Sequence, residues 1–541
     1  MDVIQNLCPE RPSLLGITTS DGKDAWRQGQ RETIDEIVKA LYQHKYVLAN
    51  IPTGGGKTLV GAAVQKLLGG DALACTHTIA LQEQYRETMT WAKVVTGKSN
   101  WPCGRPPEDS LMEMFKGKLT AEECDTYAKC EEYHECSYRA MLAEACESPQ
   151  VISNYAYAVR ILQAHSIKPY GYNPFRRRLL IADEGHLLED AIIDATTVTL
   201  WAGPCTMAGT PPWPQSNDIW TWIAWANDSM EVAQQYAQAM SRNSKENENP
   251  GTLKAAKSAA SLYATVLAIR KLPPTEWVPS IVGGKQVDFR PLWGWSVSND
   301  RLFQHFEKVL IMSATLGDPN DLMARLDIPP EDAVYLDVPS TFPVANRPVF
   351  YWPIVKVNWK TTTEEWRYMA EAISHIANLG VLKDKKGLIH TGSYKVVKAL
   401  QPYIQGNPRF IFHDQGRGNR EELIERLKYD RNPIVVLSPA LATGIDIREI
   451  GWQIIPKVPY GDLGNPIVKA RKNYKRGDDV KFGERNYLAT AMNNVVQAAG
   501  RAVRAPDDIG VTYILDSSYM ALHARVHSPS FYRDAFRWLK T

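Results

Sequence analysis

Residues 51–58 read IPTGGGKT, three consecutive glycines followed by a lysine and a threonine. Gly54, Gly55 and Gly56 allow successive backbone N–H groups to turn toward one point, an arrangement suited to phosphate oxygens. Thr53 opens the loop, Lys57 would reach the terminal phosphates, and the Thr58 hydroxyl would ligate Mg²⁺. Ile51 stands where the strict pattern has glycine, so the match is partial. A second stretch, RLLIADEGH (178–186), ends an apolar run in Asp183 and Glu184. One carboxylate can hold a metal through water while its neighbour polarises an attacking water as general base. The third, QAAGRAVR (497–504), sets Arg501 and Arg504 on one helical face, where they can meet charge developing on a γ-phosphate. Each has a plainer reading when it stands alone: a glycine turn, acids at a helix N-terminus, or a salt-bridged arginine pair. Together they point to phosphoryl chemistry.

The cysteines form a separate constellation. CDTYAKCEEYHEC (124–136) spaces three of them by five residues, and Cys103 lies upstream, so half of the chain's eight cysteines fall in one region. Cys103, Cys124, Cys130 and Cys136 could hold a 4Fe–4S cluster, whose corners accept irregular spacing, but spacing alone does not choose it. Zinc is the competitor, with His134 as a further donor, although structural zinc sites usually place two to four residues between paired cysteines. A cluster without any metal is the third possibility. Cys146 lies in a helical pattern and, like Cys8, Cys75 and Cys205, is read as packing.

These residues need elements to position them. At 541 residues the chain exceeds one ordinary core, and about 150 residues per domain gives three or four units. Apolar recurrence at Ile34, Ile37, Val38 and Leu41 predicts an amphipathic helix before the strand YVLAN (46–50). Further strands are predicted at ALACT (72–76), RLLIAD (178–183) and KVLIM (308–312). A second series follows at GLIH (387–390), IVVLS (434–438), WQIIPKV (452–458) and VTYIL (511–515). Short apolar strands alternating with helices indicate parallel sheets covered on both faces, hence an α/β protein with two such units. Two inserts interrupt the first unit. Residues 1–98, 147–190 and 301–342 are assigned to it, 99–146 to the cysteine insert, 191–300 to a helical insert, and 343–541 to the second unit. Helices are expected near 217–241 and 253–271 with SRNSKENENPG as a polar loop between them. Most of the sixteen tryptophans are expected in cores and domain contacts.

The ordered set WRQGQ (26–30), IPTGGGKT, ACTHTIALQEQ (74–84), DEGH (183–186), MSATL (312–316), HTGSY (390–394), SPALATGIDI (438–447) and QAAGRAVR resembles the XPD/DinG family of superfamily-two iron–sulfur DNA helicases. That resemblance spans nearly the whole chain. It implies two RecA-like motor domains, the first carrying a cluster insert and an arch-like insert, with ATP, Mg²⁺ and a 4Fe–4S cluster as cofactors. It also implies that Arg27 and Gln30 contact the nucleotide, Gln30 at the adenine, and that His186 links hydrolysis to movement. Gln497, Arg501 and Arg504 would act on the phosphates, and Ser313, Ala314 and Thr315 would couple nucleotide state to DNA. Gly444 and Asp446 would sit at the cleft, while Thr76, Thr391 and Ser393 would touch the sugar–phosphate backbone. The departures are Ile51 and Gly185 where the family usually has Ala, and Thr443 where many relatives have Glu.

The implied function is an ATP-dependent helicase translocating 5′ to 3′ on single-stranded DNA and opening duplexes or forks, in bacterial or phage replication or repair. Two alternatives stand beside it: a remodeller of RNA or nucleoprotein, and a non-unwinding junction binder with a degenerate ATPase. The net charge of +2 excludes neither, because a neutral body can carry a local basic groove. The basic run KARKNYKRGDDVKFGER (469–485) is either part of such a track or a solvated loop. No apolar run approaches the ~20 residues that cross a bilayer, and the first residues lack a secretory pattern. A monomeric, cytoplasmic protein without membrane partners is therefore expected.

Overall fold

The computed structural model describes residues 7–539 except 20–21, 78, 105–118, 123–135, 166, 168–170, 248, 415–418, 442–449 and 504–506. Helix Gln30–Gln43 forms where the apolar spacing predicts it, and Ile34, Ile37, Val38 and Leu41 are fully buried. It covers the first of two seven-stranded sheets. That sheet comprises β1 (Tyr46–Asn50), β2 (Ala72–Thr76), β3 (Lys93–Val95), β4 (Gln150–Asn154) and β5 (Leu179–Asp183), joined later in the chain by β9 (Lys308–Ser313) and β10 (Ala333–Asp337). Between them, β6 (Val198–Trp201), β7 (Trp277–Val282) and β8 (Gln286–Pro291) make a small antiparallel sheet. The second large sheet holds β11 (Val349–Val355), β12 (Lys386–His390), β13 (Phe410–Phe412), β14 (Val435–Ser438), β15 (Ile450–Ile455), β16 (Val511–Asp516) and β17 (Phe536–Trp538).

Both large sheets are wholly parallel, in the orders β10-β1-β9-β5-β2-β4-β3 and β13-β14-β12-β15-β16-β11-β17. Parallel neighbours need crossover segments, and their helices bury both sheet faces. In the first sheet β1, β9 and β5 lie side by side, so the loops leaving their carboxyl ends converge. That is where open parallel sheets bind ligands.

Every strand read from an apolar run is present, while β3, β4, β10, β11, β13 and β17 carry no such signal. Three of these are only three residues long. β4 is buried yet contains Gln150 and Ser153, made tolerable by bonds such as Ser153 Oγ to Val95 O at 3.1 Å. The insert helices are longer than expected, Ile219–Glu246 and Pro250–Arg270. The first runs through SRNSKE, and Asn249 caps the second by accepting from Thr252 N at 3.0 Å, so the polar loop shrinks to a tight connection. Trp222 is fully buried, packing edge-on to Trp225 and Phe289 at 5.9 and 5.5 Å, the core role expected of tryptophans here.

The basic run 469–485 takes a role that neither reading anticipated: it clasps the second sheet's layer to the first. Arg471 lies over the Trp293 ring at 5.2 Å, donates to Leu292 O at 2.7 Å and to Asp190 at 3.1 Å, and stands 3.8 Å from Glu189. Trp293 stacks on Trp295 at 5.4 Å and meets Phe482 edge-on at 5.1 Å. Arg485 grips Asp321 with Nε and Nη2 at 2.9 and 2.7 Å. A bidentate guanidinium pair of this kind fixes orientation as well as distance.

Candidate active site

The phosphate loop bridges β1 and helix Lys57–Leu68. Gly54 and Gly56 have φ of 80° and 74°, the left-handed region that glycine enters without steric cost. A Cβ at Gly56 would stand 2.5 Å from Gln30 Nε2, and one at Gly55 would stand 2.7 Å from Ile51 Cγ2. Gln30 therefore lies against the loop. Its Oε1 accepts from Arg27 N at 3.0 Å, and its Nε2 faces Gly55 O and Gly56 O at 3.3 and 3.4 Å. Arg27 also donates to Gly54 O. Lys57 and Thr58 occupy the first turn of the helix, whose N-terminal amides favour anions. Beside the loop a cavity of about 410 Å³ is lined by Arg27, Gln30, Thr33, Asp337, Pro339 and Phe342. Nothing in the sequence signalled the 335–342 portion, since it reaches the site only because β10 pairs with β1.

Asp183 ends β5 at the facing edge and is 3% exposed. It accepts from Tyr85 OH at 3.0 Å and from Glu184 N at 2.8 Å, and Tyr155 OH donates to its backbone oxygen at 2.6 Å. Burial raises both tyrosine pKa values well above their ordinary value, so both remain donors. Sequence motifs did not single out this tyrosine pair. Burial raises the Asp183 carboxyl to about 6, the Lys57 charge opposing and the Glu184 charge adding to the rise.

Glu184 has φ of 53°, unusual for a side chain with a Cβ and costing on the order of 1–3 kcal/mol. The turn aims its carboxylate into the cleft, 3.8 Å from Lys57 Nζ and 3.4 Å from His186 Nδ1. Gly185 is required by packing. A Cβ there would stand 2.3 Å from Ile311 Cγ2 and 3.2 Å from Leu316 Cδ2. Gly185→Ala is thus expected to lower the melting temperature, with overpacking costing roughly 1–3 kcal/mol. Combining it with Ile311→Ala should cost less than the sum of the single changes; strict additivity would show that the contact is relieved elsewhere.

His186 joins the two halves. Its Nδ1 meets Ser313 Oγ at 2.8 Å, while its Nε2 meets Gln497 Nε2 in a short contact, and Gln497 Nε2 donates to Thr315 Oγ1 at 2.9 Å. Burial is the main cause of its pKa falling to about 4, so the ring is neutral near pH 7. Since Gln497 donates there, Nε2 is the accepting nitrogen and Nδ1 carries the hydrogen. Gly500 approaches the phosphate loop so closely that a Cβ on it would stand 3.2 Å from Thr53 Oγ1. Arg501 follows, and its charge reaches both His186 and His390.

The remaining residues divide into three groups. Thr76, the last residue of β2, and Thr391, the residue after β12, are 0% exposed; Ser393 is half-buried and directly precedes helix Tyr394–Ile404. Arg504, Gly444, Asp446, Cys124 and Cys130 lie outside the described residues. Cys103 and Cys136 are free and partly exposed, and Ser137 Oγ donates to Pro102 O at 3.2 Å, which sets these two cysteines on adjoining segments. Among the described residues no group of three or more His, Cys, Asp or Glu side chains is arranged to hold a metal. Nor is any described helix long and apolar enough to cross a membrane. Cys8, Cys75 and Cys205 are buried, and Cys146 lies on helix Ser137–Glu147.

Comparison with known proteins agrees with this geometry. A family described as the type III restriction enzyme res subunit matches residues 23–200, and the helicase C-terminal domain family matches residues 376–531. A 107-residue portion is 31% identical to the ATP-dependent DNA helicase YoaA of Escherichia coli (strain K12), covering 19% of this chain and 16% of that relative. Among solved structures, an XPD helicase aligns over 95% of this chain and 99% of its own with TM-score 0.60 and 16% identity. S. tokodaii Xpd4 aligns over 95% and 100% with TM-score 0.55 and 13% identity. The two family models thus match in chain order, one over much of the first unit and one over most of the second, and the XPD structures share this chain's fold along nearly its whole length.

Proposed function

We propose that this chain is an ATP-driven motor that moves along single-stranded DNA, 5′ to 3′, and opens duplexes or forks. The observation carrying this reading is the cross-cleft chain Ser313–His186–Gln497–Thr315, which ties the acidic turn after β5 and the end of β9 to helix Phe482–Ala499 of the second sheet, whose end leads into Arg501. Lys57 and the glycine loop would bind the phosphates of ATP. Glu184 would take the proton of the attacking water, and Arg501, with Arg504, would face charge developing on the γ-phosphate. Thr58 and Asp183 would hold Mg²⁺, which when bound supplies positive charge beside the phosphate oxygens; the buried Asp183 carboxyl fits that requirement. Loss of the γ-phosphate would release the second sheet's arginines, and a cleft alternating between two states can step along a strand if each grips it differently. DNA as the track is supported by the likeness to YoaA, an ATP-dependent DNA helicase, and the polarity by family resemblance.

Cys103, Cys124, Cys130 and Cys136 would hold a 4Fe–4S cluster, a group that supplies a rigid four-thiolate crosslink to the insert. The adjoining placement of Cys103 and Cys136 fits that use. Anaerobically purified protein should be brown, and Ser at Cys124 or Cys136 should abolish the colour while sparing ATP binding. A colourless, iron-free wild type would refute the assignment. For the motor itself, ATP hydrolysis should rise with single-stranded DNA and vanish in Lys57→Ala. Duplexes with a 5′ tail should be unwound, and preference for a 3′ tail or for RNA would overturn polarity or track.

A further inference from the structure

The second sheet carries a buried polar chain that the cross-cleft contacts do not use. Gln453 lies mid-strand in β15, opposite Thr512 on β16, and is fully buried on the face covered by helix Phe482–Ala499. Its Nε2 donates to Thr512 Oγ1 at 2.8 Å and to Ala499 O at 2.7 Å. With both amide hydrogens used, Oε1 must accept, and His390 Nε2 meets it at 3.1 Å. Burial lowers His390 to about 4, so the ring is neutral near pH 7 and its Nε2 bears the hydrogen. An apolar residue would cover this sheet face at lower cost than a buried amide. The destination of the chain explains the polar choice. Ala499 O is one of the final carbonyls of the helix, which otherwise lack partners, and Arg501 lies two residues beyond it. Gly500, between them, lies against the phosphate loop, since a Cβ on it would stand 3.2 Å from Thr53 Oγ1.

We propose that Gln453 is a positioning residue for Arg501: a strand-borne amide that clamps the helix end and sets where the arginine enters the nucleotide cleft. This rests on the reading of Arg501 as the arginine facing the γ-phosphate. Gln453→Leu leaves Ala499 O without its clamp and frees the Gly500–Arg501 turn, whereas the phosphate loop and the cavity beside it are untouched. The consequence is a loss of transition-state stabilisation without loss of ATP binding.

The test is steady-state ATP hydrolysis by the full chain in wild type, Gln453→Leu, Arg501→Ala and the double variant, alongside melting temperatures. Gln453→Leu should lower kcat roughly 10- to 100-fold with KM for ATP unchanged, as expected when a catalytic group is displaced by about an ångström. In the Arg501→Ala background the same change should alter kcat by less than about twofold, because the group it positions is gone. Thr512→Val removes only a support of Gln453 and should lower kcat more mildly with the same KM; it carries the test if Gln453→Leu melts near the assay temperature. Wild-type kcat in both variants, or a Gln453→Leu loss that multiplies in full with that of Arg501→Ala, would overturn the proposal. A wild type that hydrolyses ATP but is indifferent to Arg501→Ala would instead refute the role of Arg501, and this inference with it.

Discussion

Glu184→Gln is expected to lower ATP turnover by roughly 10²–10⁴-fold, the range for removing a positioned general base, while ATP affinity stays near wild type. The substitution preserves size and the ability to adopt the φ of 53° that aims the side chain. It removes only the negative charge and the basic oxygen. Lys57, 3.8 Å away, loses a partner and remains free to meet phosphate. Asp183 also loses the neighbouring charge that adds to its raised pKa, which favours its ionised form. Single-turnover hydrolysis together with equilibrium binding of ATP separates the two effects. Turnover within tenfold of wild type would remove Glu184 from the role of base.

Glu189→Ala should destabilise the protein by about 3–5 kcal/mol, the usual cost of leaving a buried ion-pair partner alone. Glu189 is 2% exposed; it accepts from Gly294 N at 3.0 Å, pairs with Arg325 and lies 3.8 Å from Arg471. Its removal takes away the carboxylate paired with Arg325 and weakens the hold on Arg471, which keeps Asp190 and Leu292 O, so the run 469–485 is tied less firmly to the first sheet's layer. Limited proteolysis should then cut between the two sheets sooner than in wild type. Glu189→Gln keeps an acceptor for Gly294 N and should cost less. A melting temperature for Glu189→Ala matching wild type would show that the clasp contributes orientation without stability.

The motifs were legible because each is local. A glycine loop between strand and helix, acids at the end of an apolar strand, and a Gln-x-x-Gly-Arg-x-x-Arg run all declare themselves within about eight residues, although the helix expected to carry both arginines ends at Ala499 and leaves Arg501 in the turn after it. Tyr85, Tyr155 and Gln453 do not. Each is an ordinary residue in an ordinary helix or strand, and its meaning comes from a carboxylate or carbonyl that only folding brings near. The basic run shows the same limit from the other side. Its charges suggested a polyanion track, yet Arg471, Arg476 and Arg485 are engaged by Asp190, Glu189, Asp321 and the rings of Trp293 and Trp295, all distant in sequence. Cys103 and Cys136 stand between these cases, since their spacing was visible and their adjoining placement was not.

By itself the sequence determined the two parallel sheets, the glycine loop and the acidic turn, whereas the helix before the arginines ends at Ala499, short of the shared face expected for Arg501 and Arg504. Apolar runs bounded by glycine and polar residues specify buried strands, and motif geometry follows from backbone chemistry over a single turn. Tertiary structure alone decided which of these meet. Strand order places β1, β9 and β5 together although more than a hundred residues separate β5 from β9. The approach of the sheets sets Gly500 against Thr53 and Gln497 against His186. Pairings of that kind depend on packing between distant surfaces, a many-body outcome that no short stretch of residues encodes.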